Sequence, residues 1–286
     1  MVDEKQECML VSNLDKHTNK AQNELEKQPI VEQTSEIIEI SLLLRPKVKR
    51  IIRKNWILII ILYILFFIMR GIGCLGPENL RILILISFGL MWPLPFIFYS
   101  RMGWKAIGIR KIQKPLWFLW GFLLGVGAAF LVYFIGWEIF GNTNDHWYMA
   151  ILDQVISEEN RMYIDTTTLF FIATGPAIVF SPIGEEILFR GMIHETAKNS
   201  KKIWQGTIIN SLAFGLIHIF HYGIAYDASE GLTVHLWTGL LWFVLMVGVS
   251  IIFTLCRERS KSIFPAIVAH SAFNLAMNVT IFLFLV

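Results

Sequence analysis

The chain has 286 residues, 55% of them hydrophobic and only 16% charged, with 10 Trp, 22 Phe and a mean hydropathy of +0.56. That composition excludes an ordinary soluble domain. The formal net charge of +3 comes from sparse basic loops that read as topology signals and exclude a nucleic-acid surface.

Residues 1–50 form a polar tail of mixed charge, expected to be cytoplasmic and disordered, with at most a transient helix at 35–44. The tail lacks the basic-then-apolar opening of a secretory signal, so the N-terminus is expected to stay. Crossing a hydrocarbon core takes about 20 apolar residues as helix. Such runs lie at 56–75, 82–100, 116–140, 168–193, 203–221, 234–256 and 262–285. The fold class predicted is all-α, a polytopic transmembrane helical bundle of about seven spans, eight being the alternative. Residues 51–140 read as accessory transmembrane helices that serve as scaffold, with Glu138 near the end of the third span. Residues 141–167 read as an acidic external loop containing Trp147, Tyr148 and Met149, able to cap the bundle but not catalytic. Residues 168–286 read as a catalytic four-helix membrane core.

Basic residues cluster before the first span (Lys47, Lys49, Arg50, Arg53, Lys54), after the second (Arg101, Lys105, Arg110, Lys111, Lys114), and at Lys198–Lys202 and Arg257–Lys261. The opposite side receives only Arg70, Arg81 and Arg161. The positive-inside rule then predicts a multi-pass plasma-membrane protein with a cytoplasmic N-terminus and, for seven spans, an external C-terminus. Cys8, Cys74 and Cys256 have neither CxxC nor Cys/His spacing, which argues against a disulfide framework or a cysteine-based zinc site.

The chemistry begins in the fourth span, at Glu185 and Glu186. An ionised group near a bilayer centre costs roughly 2.5–3.5 kcal/mol, so paired acids there need water, a proton or a base. Arg190 is an i,i+4 partner for Glu186, while Glu185 points about a hundred degrees away. Phe214 and His218 share a face of the fifth span, and His270 and Asn274 share one of the seventh. Taken singly, Glu186–Arg190 is a buried ion pair, Phe214 is core packing, each histidine is a helix contact, and Asn274 is interhelical glue. Together they suit hydrolysis: a buried carboxylate and a histidine can activate water, and His and Asn can receive an oxyanion. A zinc version would use Glu185, His218 and His270 as ligands with an open position for water. The helical zinc-protease signature is absent, since His194-Glu195 is followed by Thr-Ala-Lys. His221, His146 and His235 flank spans and read as interfacial.

Glu185-Glu-x-x-x-Arg190, Phe214-x-x-x-His218 and His270-x-x-x-Asn274 resemble the three motifs of the CAAX protease and bacteriocin-processing enzyme family, also called CPBP or Abi, over about residues 168–278. The resemblance implies an intramembrane endopeptidase in which Glu185 activates water with His218, His270 and Asn274 form the oxyanion hole, and Glu186 with Arg190 supports the site. It implies no obligatory metal, zinc being the alternative. The Ile- and Lys-rich usage looks bacterial, which favours as substrate a leader, bacteriocin or signalling peptide over a prenylated protein. The lipid bilayer is the other partner expected, and nucleic acid is not. The rival readings are a non-proteolytic immunity or regulatory membrane protein and a transporter using Glu185 as an ion site.

Overall fold

A computed structural model describes residues 43–52, 54–143, 145–156, 161–198, 202–227 and 231–286. The tail expected to be disordered therefore lies almost wholly outside the described residues, and its last part forms the short helix α1 (Pro46–Ile51). Helix α2 (Asn55–Leu75) is apolar over the face it turns outward, as a helix facing lipid should be. Its buried stripe runs Leu58, Leu62, Phe66, Arg70 and Gly73, while Ile57, Ile61, Ile64 and Ile68 face outward.

The apolar run at 82–100 is two helices, α3 (Ile82–Met91) and α4 (Leu94–Phe98), where one span was expected. Pro93 and Pro95 supply no N–H to the preceding turn, and two such losses within three residues break the helix here. The ten residues of α3 reach about 15 Å, half a hydrocarbon core. The broken segment nevertheless returns to the start of α2. Tyr99 bridges Leu44, and its hydroxyl donates to Asn55 Oδ1 at 2.9 Å. Among the described residues, six helical stretches are long and apolar enough to cross a membrane: Asn55–Leu75, Trp117–Phe140, Thr166–Ala197, Ile203–Tyr222, Leu236–Ser260 and Phe264–Leu285.

After α5 (Arg101–Ala106) comes α6 (Trp117–Phe140), which packs along α13 (Phe264–Thr280). Gly121 and Gly125 let the backbones meet. A Cβ on Gly125 would collide with the Ala269 carbonyl, whereas one on Gly127 would enter open space.

The loop expected at 141–167 contains α7 (Trp147–Val155), docked by fully buried Trp147 and Tyr148. His146 caps it. The Tyr148 N–H donates to His146 Nδ1 at 3.1 Å, and His146 Nε2 donates to the Tyr133 carbonyl at 3.3 Å. Burial holds the His146 pKa below the usual histidine value.

Helix α8 (Thr166–Glu186) starts at Asp165, whose side chain accepts from the Thr168 N–H at 3.0 Å. It continues through Pro176 and Pro182 into a π-helical stretch, Ile187–Ile193, and then α9 (His194–Ala197). Pro182 offers no N–H to the Ile178 carbonyl; Ser271 Oγ donates to it instead, at 2.7 Å.

Next come α10 (Ile203–Ile217) and α11 (Ile219–Tyr222). A β-hairpin follows, β1 (Ile224–Asp227) antiparallel to β2 (Gly231–Val234), with Ile224 opposite Val234. The remaining long helix is α12 (Leu236–Ser260), and α13 closes in a π-helical turn, Ile281–Leu285.

Three of the predicted basic loops gather at one end of the bundle. Arg257 donates to Glu195 at 2.7 Å and to the Ala106 carbonyl at 2.9 Å, and Ser262 Oγ donates to the Arg110 carbonyl at 2.9 Å. Arg70 departs from the expected pattern. It is no loop residue but lies within α2, 1% exposed, so the accessory region does carry a buried charge.

Candidate active site

Glu186 and Arg190 form the expected i,i+4 pair at 2.9 Å, both fully buried. The Arg190 guanidinium lies over Phe214 (4.2 Å to the ring centroid) and Phe253 (5.0 Å), so apolar rings complete its shell. Phe214 is thus more than filler, because its other neighbour is His218, at a ring separation of 4.1 Å.

Glu185 is 1% exposed and meets the other edge of the His270 ring. Its Oε1 accepts from Arg70 Nη2 at 2.5 Å. Its Oε2 has no hydrogen-bond partner among the described residues, and His218 Nε2 and His270 Nε2 each stand 3.8 Å from it. A direct hydrogen bond is too long at that distance.

The protons on the two rings follow from their other nitrogens. His218 Nδ1 lies 2.7 Å from the Phe214 carbonyl. A carbonyl only accepts, so Nδ1 carries the hydrogen and Nε2 presents a lone pair. His270 Nδ1 lies 2.9 Å from Glu186 Oε1, and the same logic leaves its Nε2 bare. Helix geometry holds each ring: His218 sits at the break between α10 and α11, where Trp242 Nε1 donates to its carbonyl at 2.9 Å, and His270 stacks on Phe253 at 4.9 Å.

Asn274 follows His270 by one turn and donates from Nδ2 to the Ala177 carbonyl at 2.8 Å, leaving a second N–H on the same nitrogen. Glu185, Phe214, His218, His270 and Asn274 line a cavity of about 370 Å³, which Arg70, Arg81, Gln154 and His221 also border and whose remaining wall is mostly apolar, with Leu85, Ile172, Met246 and Met277. Among the described residues no three His, Cys, Asp or Glu side chains group closely enough to hold a metal ion.

The fold thus brings all seven predicted residues to one place. Residues 167–276 match the family model described as type II CAAX prenyl endopeptidase Rce1-like. This segment is an Rce1-like domain. The match contains every predicted residue and α8 through most of α13. No curated protein and no solved structure gives a significant match to the chain. The Rce1-like domain and the six apolar helices support a multi-pass membrane protein of the CAAX-protease type, an intramembrane endopeptidase in general terms.

Three residues around the Rce1-like site escaped the sequence reading. Arg70 carried a signal, a lone cation inside an apolar run, but its position near the end of that run made it look like a loop charge. His221, set aside as interfacial, accepts from Arg70 at 2.7 Å. Gln154, in the supposed loop, meets His221 at 2.6 Å; an uncharged amide there gave no signal.

Proposed function

We propose that the protein is a glutamate-dependent intramembrane endopeptidase that cleaves a peptide bond of a membrane-associated peptide or protein. The observation that carries this reading is the unpartnered Glu185 Oε2, buried between two imidazole nitrogens whose lone pairs face it. A water seated among these three acceptors gives its proton to Glu185, with His218 holding its second hydrogen. The water oxygen bonds to the peptide carbonyl carbon, and the carbonyl electron pair moves to oxygen. Asn274, through its unused N–H, donates to that oxyanion; His270 does so while its Nε2 holds the proton taken from the water by way of Glu185, with Glu186 balancing the charge through Nδ1, and returns that proton to Glu185 as the intermediate collapses. Collapse of the intermediate breaks the C–N bond as the proton held on Glu185 passes to the leaving amine.

Carboxylate and imidazole suit zinc by type. The charges at this site already balance, however, with Glu185 and Glu186 set against Arg70 and Arg190, and one oxygen of Glu185 is committed to Arg70. A dication would leave the buried site two charges positive, so the proposed mechanism uses no metal. The mostly apolar lining suits an apolar substrate segment, such as part of a leader, bacteriocin or signalling peptide in a plasma membrane.

The test compares purified wild type with Glu185→Gln and His218→Ala on a fluorogenic membrane-peptide library, with and without chelator, after matching their folding. Cleavage that both substitutions abolish and chelation spares supports the proposal. Equal cleavage by all three proteins rejects the site, and loss under chelation with recovery on zinc replaces the mechanism.

A further inference from the structure

Glu185 is the end of a chain of hydrogen bonds that begins outside the spanning helices. Arg70 uses both arms of its guanidinium: Nη2 donates to Glu185 Oε1 at 2.5 Å and Nη1 to His221 Nε2 at 2.7 Å. Because guanidinium has only donors, His221 Nε2 must accept, which places the ring hydrogen on Nδ1. That nitrogen donates to Gln154 Oε1 at 2.6 Å. The Gln154 amide is oriented in turn, its Nε2 donating to the backbone carbonyls of Phe220 (2.8 Å) and His221 (3.3 Å). The protons that link Gln154, His221, Arg70 and Glu185 are therefore assigned by their neighbours, with no freedom of tautomer at His221 or flip at Gln154, while the Arg70 Nε–H has no partner among the described residues. Phe88 covers the guanidinium at 4.6 Å.

We infer that Arg70, His221 and Gln154 are positioning residues for Glu185: they pin its Oε1 so that Oε2 alone faces His218 and His270. The inference rests on Glu185 being the base. Arg70 and Gln154 both lie outside the matched residues 167–276, so α2 and α7 contribute to the active site from beyond the family segment. None of the three needs to touch substrate for this role; each acts through the next. A misplacement of a reacting group by about 1 Å can cost a hundredfold in rate, and a fork held at two ends is the kind of support that prevents it.

The experiment measures kcat, KM and thermal melting for wild type, Glu185→Gln, Gln154→Ala, His221→Ala and His221→Gln on one cleaved peptide. Gln at 221 can place an acceptor oxygen where Nε2 stood, whereas Ala cannot. The expected result is a fall in kcat of about 10–100-fold for Gln154→Ala and His221→Ala, KM within about twofold, and recovery of most of the loss in His221→Gln. If Glu185→Gln is inactive while the 154 and 221 variants turn over like wild type, the relay is overturned and the base stands. It is equally overturned if His221→Gln is as slow as His221→Ala, with losses that track melting temperature alone. Cleavage by Glu185→Gln at the wild-type rate removes the base itself, and the relay with it.

Discussion

Replacing Glu186 with Gln keeps the shape of the side chain and removes its charge, which separates two jobs done by one oxygen. Glu186 Oε1 receives both Arg190 Nη1 and His270 Nδ1, each at 2.9 Å. In Glu186→Gln the fully buried Arg190 loses its counter-ion. Removing one partner of a buried pair costs about 3–5 kcal/mol. The rings of Phe214 and Phe253 lie over the guanidinium in wild type and variant alike, so they do not offset that cost. The loss expected is therefore about 3–5 kcal/mol, read as a lower melting temperature in detergent. Activity should fall further than stability explains, because His270 loses the carboxylate that orients its ring and balances its charge. The analogous loss in a serine protease triad costs about 10⁴ in kcat, and a fall of about 10²–10⁴ is expected here. The double variant Glu186→Gln/Arg190→Met removes both charges and should regain much of the stability while staying slow. A double variant that is stable and cleaves at the wild-type rate would refute the role given to Glu186.

Gly125→Leu should lower the melting temperature by wedging α6 from α13, an overpacking cost of about 1–3 kcal/mol, whereas Gly127→Leu, which meets open space, should melt like wild type. Ser271→Ala should cost about 1–3 kcal/mol, because the Ile178 carbonyl freed by Pro182 loses its donor; urea or thermal titration of the purified protein reads this directly. His146 has a depressed folded pKa, so below the ordinary value near 6.5 the unfolded chain takes up a proton that the fold refuses, and stability falls with falling pH. Melting curves from pH 7.5 to 5 should show that slope in wild type and a shallower one in His146→Asn, whose oxygen can still cap α7.

The helical phase of 3.6 residues was enough to find Glu186–Arg190, Phe214–His218 and His270–Asn274, because polar groups inside an apolar run are costly and those one turn apart meet the same neighbours. Phase also separated Glu185 from Glu186, though it could not say that His270 would touch both, since that depends on how α8 and α13 cross. The break at Pro93 and Pro95 was legible by proline chemistry, but it lay inside a run whose hydropathy reads as one span. Arg70 and Gln154 were hidden for a different reason. Their partners lie 115 and 67 residues away in the sequence, and no local pattern links a cation on α2 to an amide on α7. The π-helical stretch after Glu186 has no marker in its residues that separates it from ordinary helix.

The pairing of Arg70 with Glu185 also bears on how the chain is made. At roughly 5–20 residues per second, the 115 residues between them take about 6–23 s to synthesise. During that interval α2 must hold an arginine in or near the bilayer with no carboxylate to meet it, an exposure worth up to about 3 kcal/mol at the centre of a membrane. The isoleucine-rich remainder of α2 is apolar enough to keep the helix inserted meanwhile. The ion pair then closes only when α8 arrives, so completing the site and fixing α2 in the bundle become one event in biogenesis.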